Sequence, residues 1–269
     1  MNIAMSYPQK NSEVKPIFIL GAGRSGTSVI TGALKSGAHI AGYYEGHFLP
    51  AILPLVNGVD KFYNSKRSAI SNKKHMIANI DRDIFKNSIL ETVRTTCESV
   101  CPEEVWLDKS PGHQMIGTSP YILQIWPQSR FIYAKRRGIE NIVSRLKKFP
   151  HVSFEDHCKI WQNCMMSWLK VKDSLQNRYL EIEQREIALN PVKTGKQLGN
   201  FLDLEAEKTN KIIEIFSTKR PQSTGGQENE KAMSIHETGW DEKQINIYRK
   251  CCEEVSNKIG YSDTSSYYL

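Results

Sequence analysis

Ile17-Phe18-Ile19-Leu20-Gly21-Ala22-Gly23-Arg24-Ser25-Gly26-Thr27-Ser28 is the stretch that decides the architecture. Four apolar residues suit a parallel strand covered on both faces. The glycines let the backbone turn tightly, and the amides opening the next helix point at whatever sits in the turn. A phosphate or phosphosulfate fits such a cradle. The spacing is close to the nucleotide-triphosphate loop G-x-x-x-x-G-K-[ST], but Thr27 occupies the lysine position, so the group that would reach β- and γ-phosphates is missing. Arg24 is the only basic residue of the turn. Glycines also serve ordinary strand-to-helix turns, which is the plain alternative.

Outward from this stretch, short apolar runs recur at His39–Gly42, Val105–Leu107, Arg130–Ala134 and Tyr179–Ile182. Between them, apolar spacing near 3.6 predicts helices over Ser25–Ser36, Ile80–Ser99, Met115–Trp126, Ile139–Phe149, Phe154–Gln176, Val192–Phe201 and Asp241–Ile259. Strands alternating with helices predict an α/β fold, a P-loop-like parallel β-sheet flanked by helices on both faces, with ligands at the carboxyl ends of the strands. That places Gly21–Ser28, Glu45, Asp108–Pro111 and Lys135–Arg137 on one rim. The economical division is a polar arm over 1–15 and one domain over 16–269. Two loop elaborations are expected at 61–79 and 218–234, the second carrying Pro221, Gly225 and Gly226 in the manner of a lid.

With 39% hydrophobic residues in 269, the chain can build a real core. Lys+Arg of 36 against Asp+Glu of 29 gives +7, which favours anionic ligands but is spread too evenly to imply nucleic acid. Cys97, Cys101, Cys158, Cys164, Cys251 and Cys252 lack paired zinc spacing and read as reduced thiols. Met1–Lys15 has no apolar signal core and no stretch approaches about 20 apolar residues, so a soluble cytoplasmic protein without a transmembrane segment is expected. Homo-oligomerisation is left open.

A second anion site follows the strand Arg130–Ala134. Lys135, Arg136 and Arg137 come directly after it, Ser144 lies eight residues past Arg136, and Arg145, Lys147 and Lys148 are close by. A nucleotide phosphorylated at both ends needs two such sites on neighbouring strand ends, where arginine forks onto phosphate and serine adds a fixed donor. A solvated basic helix start is the alternative for this segment taken alone.

Taken together, the two segments resemble the sulfotransferase superfamily that uses 3′-phosphoadenosine 5′-phosphosulfate (PAPS). Gly21–Ser28 is similar to its 5′-phosphosulfate loop, and Arg130–Gly138 with Ser144 is similar to its 3′-phosphate motif. Glu45-Gly46-His47-Phe48-Leu49-Pro50 and Asp108-Lys109-Ser110-Pro111 resemble segments of the branch holding tyrosyl-protein sulfotransferases and many small bacterial enzymes. The likeness continues through Trp161–Leu204 and Gly239-Trp240. Arg137 stands where aspartate is common, Ile139 where arginine is common, and His47 where the tyrosyl-protein enzymes carry arginine, which argues against peptide acceptors.

The resemblance implies PAPS as co-substrate and 3′-phosphoadenosine 5′-phosphate (PAP) as product, with no metal. The acceptor hydroxyl, on a small molecule, carbohydrate or lipid-like compound, attacks the sulfur in line. Gly23, Arg24, Ser25, Gly26, Thr27 and Ser28 are expected to hold the 5′-phosphosulfate, Arg136 and Ser144 the 3′-phosphate, and Arg220, Ser223 and Thr224 to close over it. Arg24 would oppose charge on the leaving phosphate and Lys109 would meet the sulfuryl oxygens. Glu45 is the candidate general base, provided burial raises its pKa. His47 is its rival, since imidazoles titrate near ~6.5, and His113 is a third candidate. Outside the resemblance, Glu45 reads as a solvated loop acid and Lys109 as half of a salt bridge.

Five basic residues and no acid over Lys61–Lys74 point to an acidic acceptor or partner, or simply to a solvated face. Phe48, Leu49, Ile52, Leu53, Leu55 and Val56, broken by Pro50 and Pro54, read as core, with an acceptor-pocket wall as the alternative. Trp161, Met165, Met166, Trp168 and Leu169 have helical spacing and read as core. A P-loop kinase or phosphotransferase, and a non-catalytic nucleotide-binding module, are the competing functional readings.

Overall fold

A computed structural model describes residues 14–218 and 232–269. Five strands, β1 (Ile17–Gly21), β2 (Ala41–Tyr43), β3 (Trp106–Lys109), β4 (Arg130–Lys135) and β5 (Tyr179–Glu183), form one sheet in the order β2-β3-β1-β4-β5. Every pairing is parallel, with Gly21 opposite Ala134 and Ile19 opposite Lys109. The helices are α1 (Thr27–Gly37), α2 (Ile52–Ser65), α3 (Arg67–Ile70), α4 (Arg82–Val100), α5 (His113–Ile125), α6 (Gly138–Lys148), α7 (Phe154–Val171), α8 (Gln184–Leu189), α9 (Pro191–Phe201), α10 (Ala206–Thr218), α11 (Glu242–Tyr248) and α12 (Glu254–Lys258).

The sheet is apolar on both faces because helices cover both. Phe18, Leu20, Phe131 and Tyr133 point into one core with Trp106, Trp126, Trp161 and Trp168. Ile17, Ile19, Ile132 and Ala134 point into a second with Ile30, Leu34, Leu198 and Ile212. Alternation along β1 and β4 thus assigns each residue a face. The Trp161, Met165, Trp168 set lies in the first core. All six cysteines are free, and only Cys251 is not buried.

Three helices depart from the sequence pattern. The run 48–56 is helical despite its prolines, because Pro50 and Pro54 fall in the opening 3₁₀ turn Leu49–Ala51 and the first turn of α2, where backbone N–H groups have no helical acceptor to lose. The segment 61–79, a loop or exposed helix by its sequence, holds the end of α2, α3 and a 3₁₀ turn at Met76–Asn79, all largely exposed. The predicted helix over Asp241–Ile259 is interrupted by a π turn at Arg249–Glu253.

The last residues are built into the fold. Tyr261 bridges Tyr268 in antiparallel fashion, and Tyr267 and Tyr261 both donate hydrogen bonds to the buried Glu183 at the end of β5. Burial pushes the Glu183 carboxyl up to about 7. Arg137, fully buried, pairs with Glu140 and donates to the carbonyls of Met233, Ser262, Thr264 and Ser266.

Candidate active site

The turn from β1 into α1 depends on glycine at two points. Gly21 has φ +142°, and a Cβ there would lie 2.3 Å from the Ala134 carbonyl oxygen of β4. Gly26 caps α1 with φ +89°. Arg24 takes φ +74° without that freedom, a conformation that costs of order 1 kcal/mol and concentrates at functional loops. Among the described residues the amides of Gly26, Thr27 and Ser28 find no acceptor, which leaves the start of α1 open to an anion.

The β4–α6 turn lies directly against this loop. The Arg24 Nε donates to Ser144 Oγ at 3.0 Å, and Arg136 donates to the Arg24 carbonyl at 3.0 Å. The two distant phosphate-type segments therefore share one site. Trp161 fixes the second turn by donating its indole N–H to the Arg136 carbonyl at 3.0 Å.

Asn141, which the sequence did not single out, and Arg145, which it named only as a neighbouring base, complete this end. Asn141 donates to the Gly23 carbonyl at 3.1 Å and to Ser25 Oγ at 3.0 Å, tying α6 to the loop. Arg145 is buried, and a Cβ on Gly23 would stand 3.3 Å from one of its terminal nitrogens. Its Nε donates to His157 Nδ1, so His157 is the neutral tautomer whose Nε2–H faces the Phe149 carbonyl. Burial and then the nearby Arg145 cation hold the His157 pKa below the usual imidazole value.

Arg24 crowds both Arg136 and Arg145, and the described hydrogen bonds of Arg136 and Arg145 reach a carbonyl and an imidazole, not a carboxylate. Burial lowers all three guanidinium pKa values, and Arg24 depresses the other two further by like-charge repulsion. The Arg136 Nε is buried with no hydrogen-bond partner. Cations held at this cost fit a bound polyanion. Ser25 and Thr27 are buried; Ser25 Oγ accepts from Asn141 and the Ser25 N–H donates to the Ala22 carbonyl at 3.2 Å, so Ser25 braces the loop and the amides of Gly26, Thr27 and Ser28 are the ones left open.

At the other end, the buried Lys109 at the tip of β3 donates to Glu45 Oε1 at 2.7 Å and lies 3.4 Å from Ser28 Oγ. Glu45 Oε2 meets His47 Nε2 at 3.0 Å. The Glu45 side chain is 46% exposed, and the Lys109 hydrogen bond holds its carboxyl below the usual range. The expected upward shift by burial is thus not found, because a buried ammonium outweighs the partial desolvation. His113 opens α5 as an exposed residue.

The loop carrying Glu45 is clamped by Asp108 and Ser110. Asp108 Oδ1 accepts from the Gly46 N–H at 2.8 Å, its Oδ2 accepts from Ser110 Oγ at 3.1 Å, and that oxygen accepts from the His47 N–H at 3.0 Å. A Cβ on Gly46 would collide with Asp108 Oδ1 at 2.2 Å. His47 itself sits at φ +54°. Lys109, Ser28 and Glu45 join this loop to the anion end, so Gly23–Ser28, Arg136, Ser144, Lys109, Glu45 and His47 form one continuous run of contacts at the carboxyl end of the sheet. Arg220, Ser223 and Thr224 lie outside the described residues. No group of three His, Cys, Asp or Glu able to hold a metal occurs among those described.

This run of residues lies beside β1, where the chain reverses its direction of travel across a parallel sheet, the place where such α/β folds bind phosphorylated ligands. The pattern that defines the Sulfotransferase family matches residues 16–208, and the chain belongs to that family. It is 21% identical over 212 residues to a protein-tyrosine sulfotransferase of Drosophila melanogaster, covering 72% of this chain but 39% of the fly protein. Among solved structures it is similar to sulfotransferase STF9 of Mycobacterium avium (15% identity, 91% of this chain and 76% of that one, TM-score 0.51). It is also similar to mouse sulfotransferase SULT7A1 complexed with PAP (13% identity, 92% and 88%, TM-score 0.53). These likenesses support the fold.

Proposed function

We propose that this protein transfers a sulfuryl group from PAPS to a hydroxyl of a small-molecule, carbohydrate or lipid-like acceptor. The observation that carries this reading is the buried Arg136, whose Nε has no hydrogen-bond partner, crowded by the Arg24 guanidinium beside the open amides of α1. Bound PAPS would supply the sulfuryl group and a leaving phosphate. The α1 amides and Arg24 would hold the 5′ end and oppose charge developing there. Arg136 and Ser144 would hold the 3′-phosphate, the free Nε of Arg136 gaining its missing acceptor.

Lys109 bridges the two halves: its ammonium reaches both Ser28 and Glu45, so it can steady the sulfuryl oxygens while fixing the carboxylate. Glu45 is ionised at neutral pH because Lys109 favours its charged form, and it takes the acceptor proton at Oε2 or Oε1 as the hydroxyl attacks. His47 orients the second oxygen of Glu45. The backbone clamp from Asp108 holds the base in reach without further side-chain ordering.

The test is calorimetric titration with PAP in the presence of a chelator, followed by an acceptor screen with labelled PAPS read by mass spectrometry. Metal-free PAP binding and label transfer are expected. Magnesium-dependent ATP binding without PAP affinity would overturn the reading in favour of a phosphotransferase.

A further inference from the structure

We propose that the outward face of α2 docks this protein on an anionic membrane surface, holding the Glu45 loop at headgroup level. The sequence from Phe48 to Phe62 carries two apolar stripes. One, with Leu49, Ile52, Val56, Val59 and Tyr63, is buried against the core. The other, Phe48, Ala51, Leu55, Gly58 and Phe62 at spacings of three and four, is exposed. Phe48, Leu55 and Phe62 are 47%, 48% and 53% accessible, and a Cβ on Gly58 would meet nothing within 4 Å. A helix that has already buried one face has no folding reason for a second.

Two observations select the occupant. Lys61, Lys66, Arg67, Lys73 and Lys74 follow or flank this stripe without an acid among residues 61–74. The complement of that charge is an anionic surface. The stripe is also convex, running about 20 Å along the outside of a helix. A planar, deformable headgroup layer fits an apolar ridge with lysines beside it, whereas a helical or extended peptide partner needs a groove or a strand edge. No helix among the described residues is long and apolar enough to cross a bilayer, so contact at the interface is the mode available to them. The stripe begins one residue after His47, so a docked molecule meets hydroxyls presented at the interface. That last consequence rests on the proposed sulfuryl transfer; the docking does not.

The experiment is co-sedimentation of the full chain with vesicles of phosphatidylcholine alone and with added phosphatidylglycerol, at low and high salt. Binding is expected only with the anionic lipid and is expected to fall with salt. Leu55→Ser with Phe62→Ser should lower partition at least tenfold. Lys66→Ala with Arg67→Ala should lower it about 25-fold, from about fivefold per charge. Both variants should retain wild-type circular dichroism and PAP affinity. Failure to sediment with anionic vesicles overturns the proposal, as does unchanged binding by a folded variant. A dimer in light scattering that Leu55→Ser/Phe62→Ser splits into monomers would also overturn it, assigning the stripe to a second copy. PAP binding that survives such a failure leaves the sulfuryl-transfer reading standing.

Discussion

The two ends of the candidate site solve opposite electrostatic problems. At the β4 end, Arg24, Arg136 and Arg145 are desolvated and repel one another, and one guanidinium nitrogen has no partner at all. At the β2 end, Glu45, Lys109 and His47 satisfy one another in a half-open loop. The first end keeps a buried donor unsatisfied, whereas the side chains of the second satisfy one another. Binding energy should therefore concentrate in the first and rate in the second.

The largest expected effect tests the second half of that division. Glu45→Gln should lower kcat by roughly 10²–10⁴ while PAP affinity, measured calorimetrically, stays within error; full turnover would transfer the role of base to His47. Arg136→Ala should weaken PAP binding by about 1.5–3 kcal/mol, and an equal loss from Lys109→Ala would erase the contrast between the ends.

The β4 end also has a pH signature in stability. Glu183 has a folded pKa of about 7 and an ordinary value of 4.5, so the native state holds its proton longer than the unfolded chain. Stability should then fall as pH rises from 4.5 through 7, with a slope of at most about 1.4 kcal/mol per pH unit from this group. In Glu183→Gln that slope should vanish from thermal melts taken across the range. At the β2 end the sign is opposite: the Glu45 carboxyl is lowered, so the acid limb of kcat should lie below pH 4.5. The smallest effect is Ser144→Ala, about 1 kcal/mol in PAP affinity, because Arg24 loses one uncharged acceptor.

The strands and both phosphate-type turns were legible because apolar runs and glycine positions report backbone requirements directly. β1, β4 and β5 fall within a residue of the apolar runs that mark them. α2 was obscured because proline in a first turn reads the same as proline that breaks a helix. α10 was missed because only Ile212 and Phe216 are buried in it, too few to stand out from a polar stretch. Within the site, residue types at the right spacing gave Arg24, Arg136, Ser144, Lys109 and Glu45 as candidates. Spacing did not reveal that the Ser25 hydroxyl turns inward to Asn141, nor that Asp108 and Asn141 brace the two loops. Those facts depend on which neighbour each polar atom meets across the sheet, and no local pattern encodes that.

Arg137 has a consequence for handling the protein. Its guanidinium gathers three carbonyls of residues 262–266, and Arg136 is its immediate neighbour. The segment Ser262–Tyr267 therefore splints the turn between β4 and α6, and its removal is expected to weaken PAP binding in a calorimetric titration while every proposed contacting side chain remains.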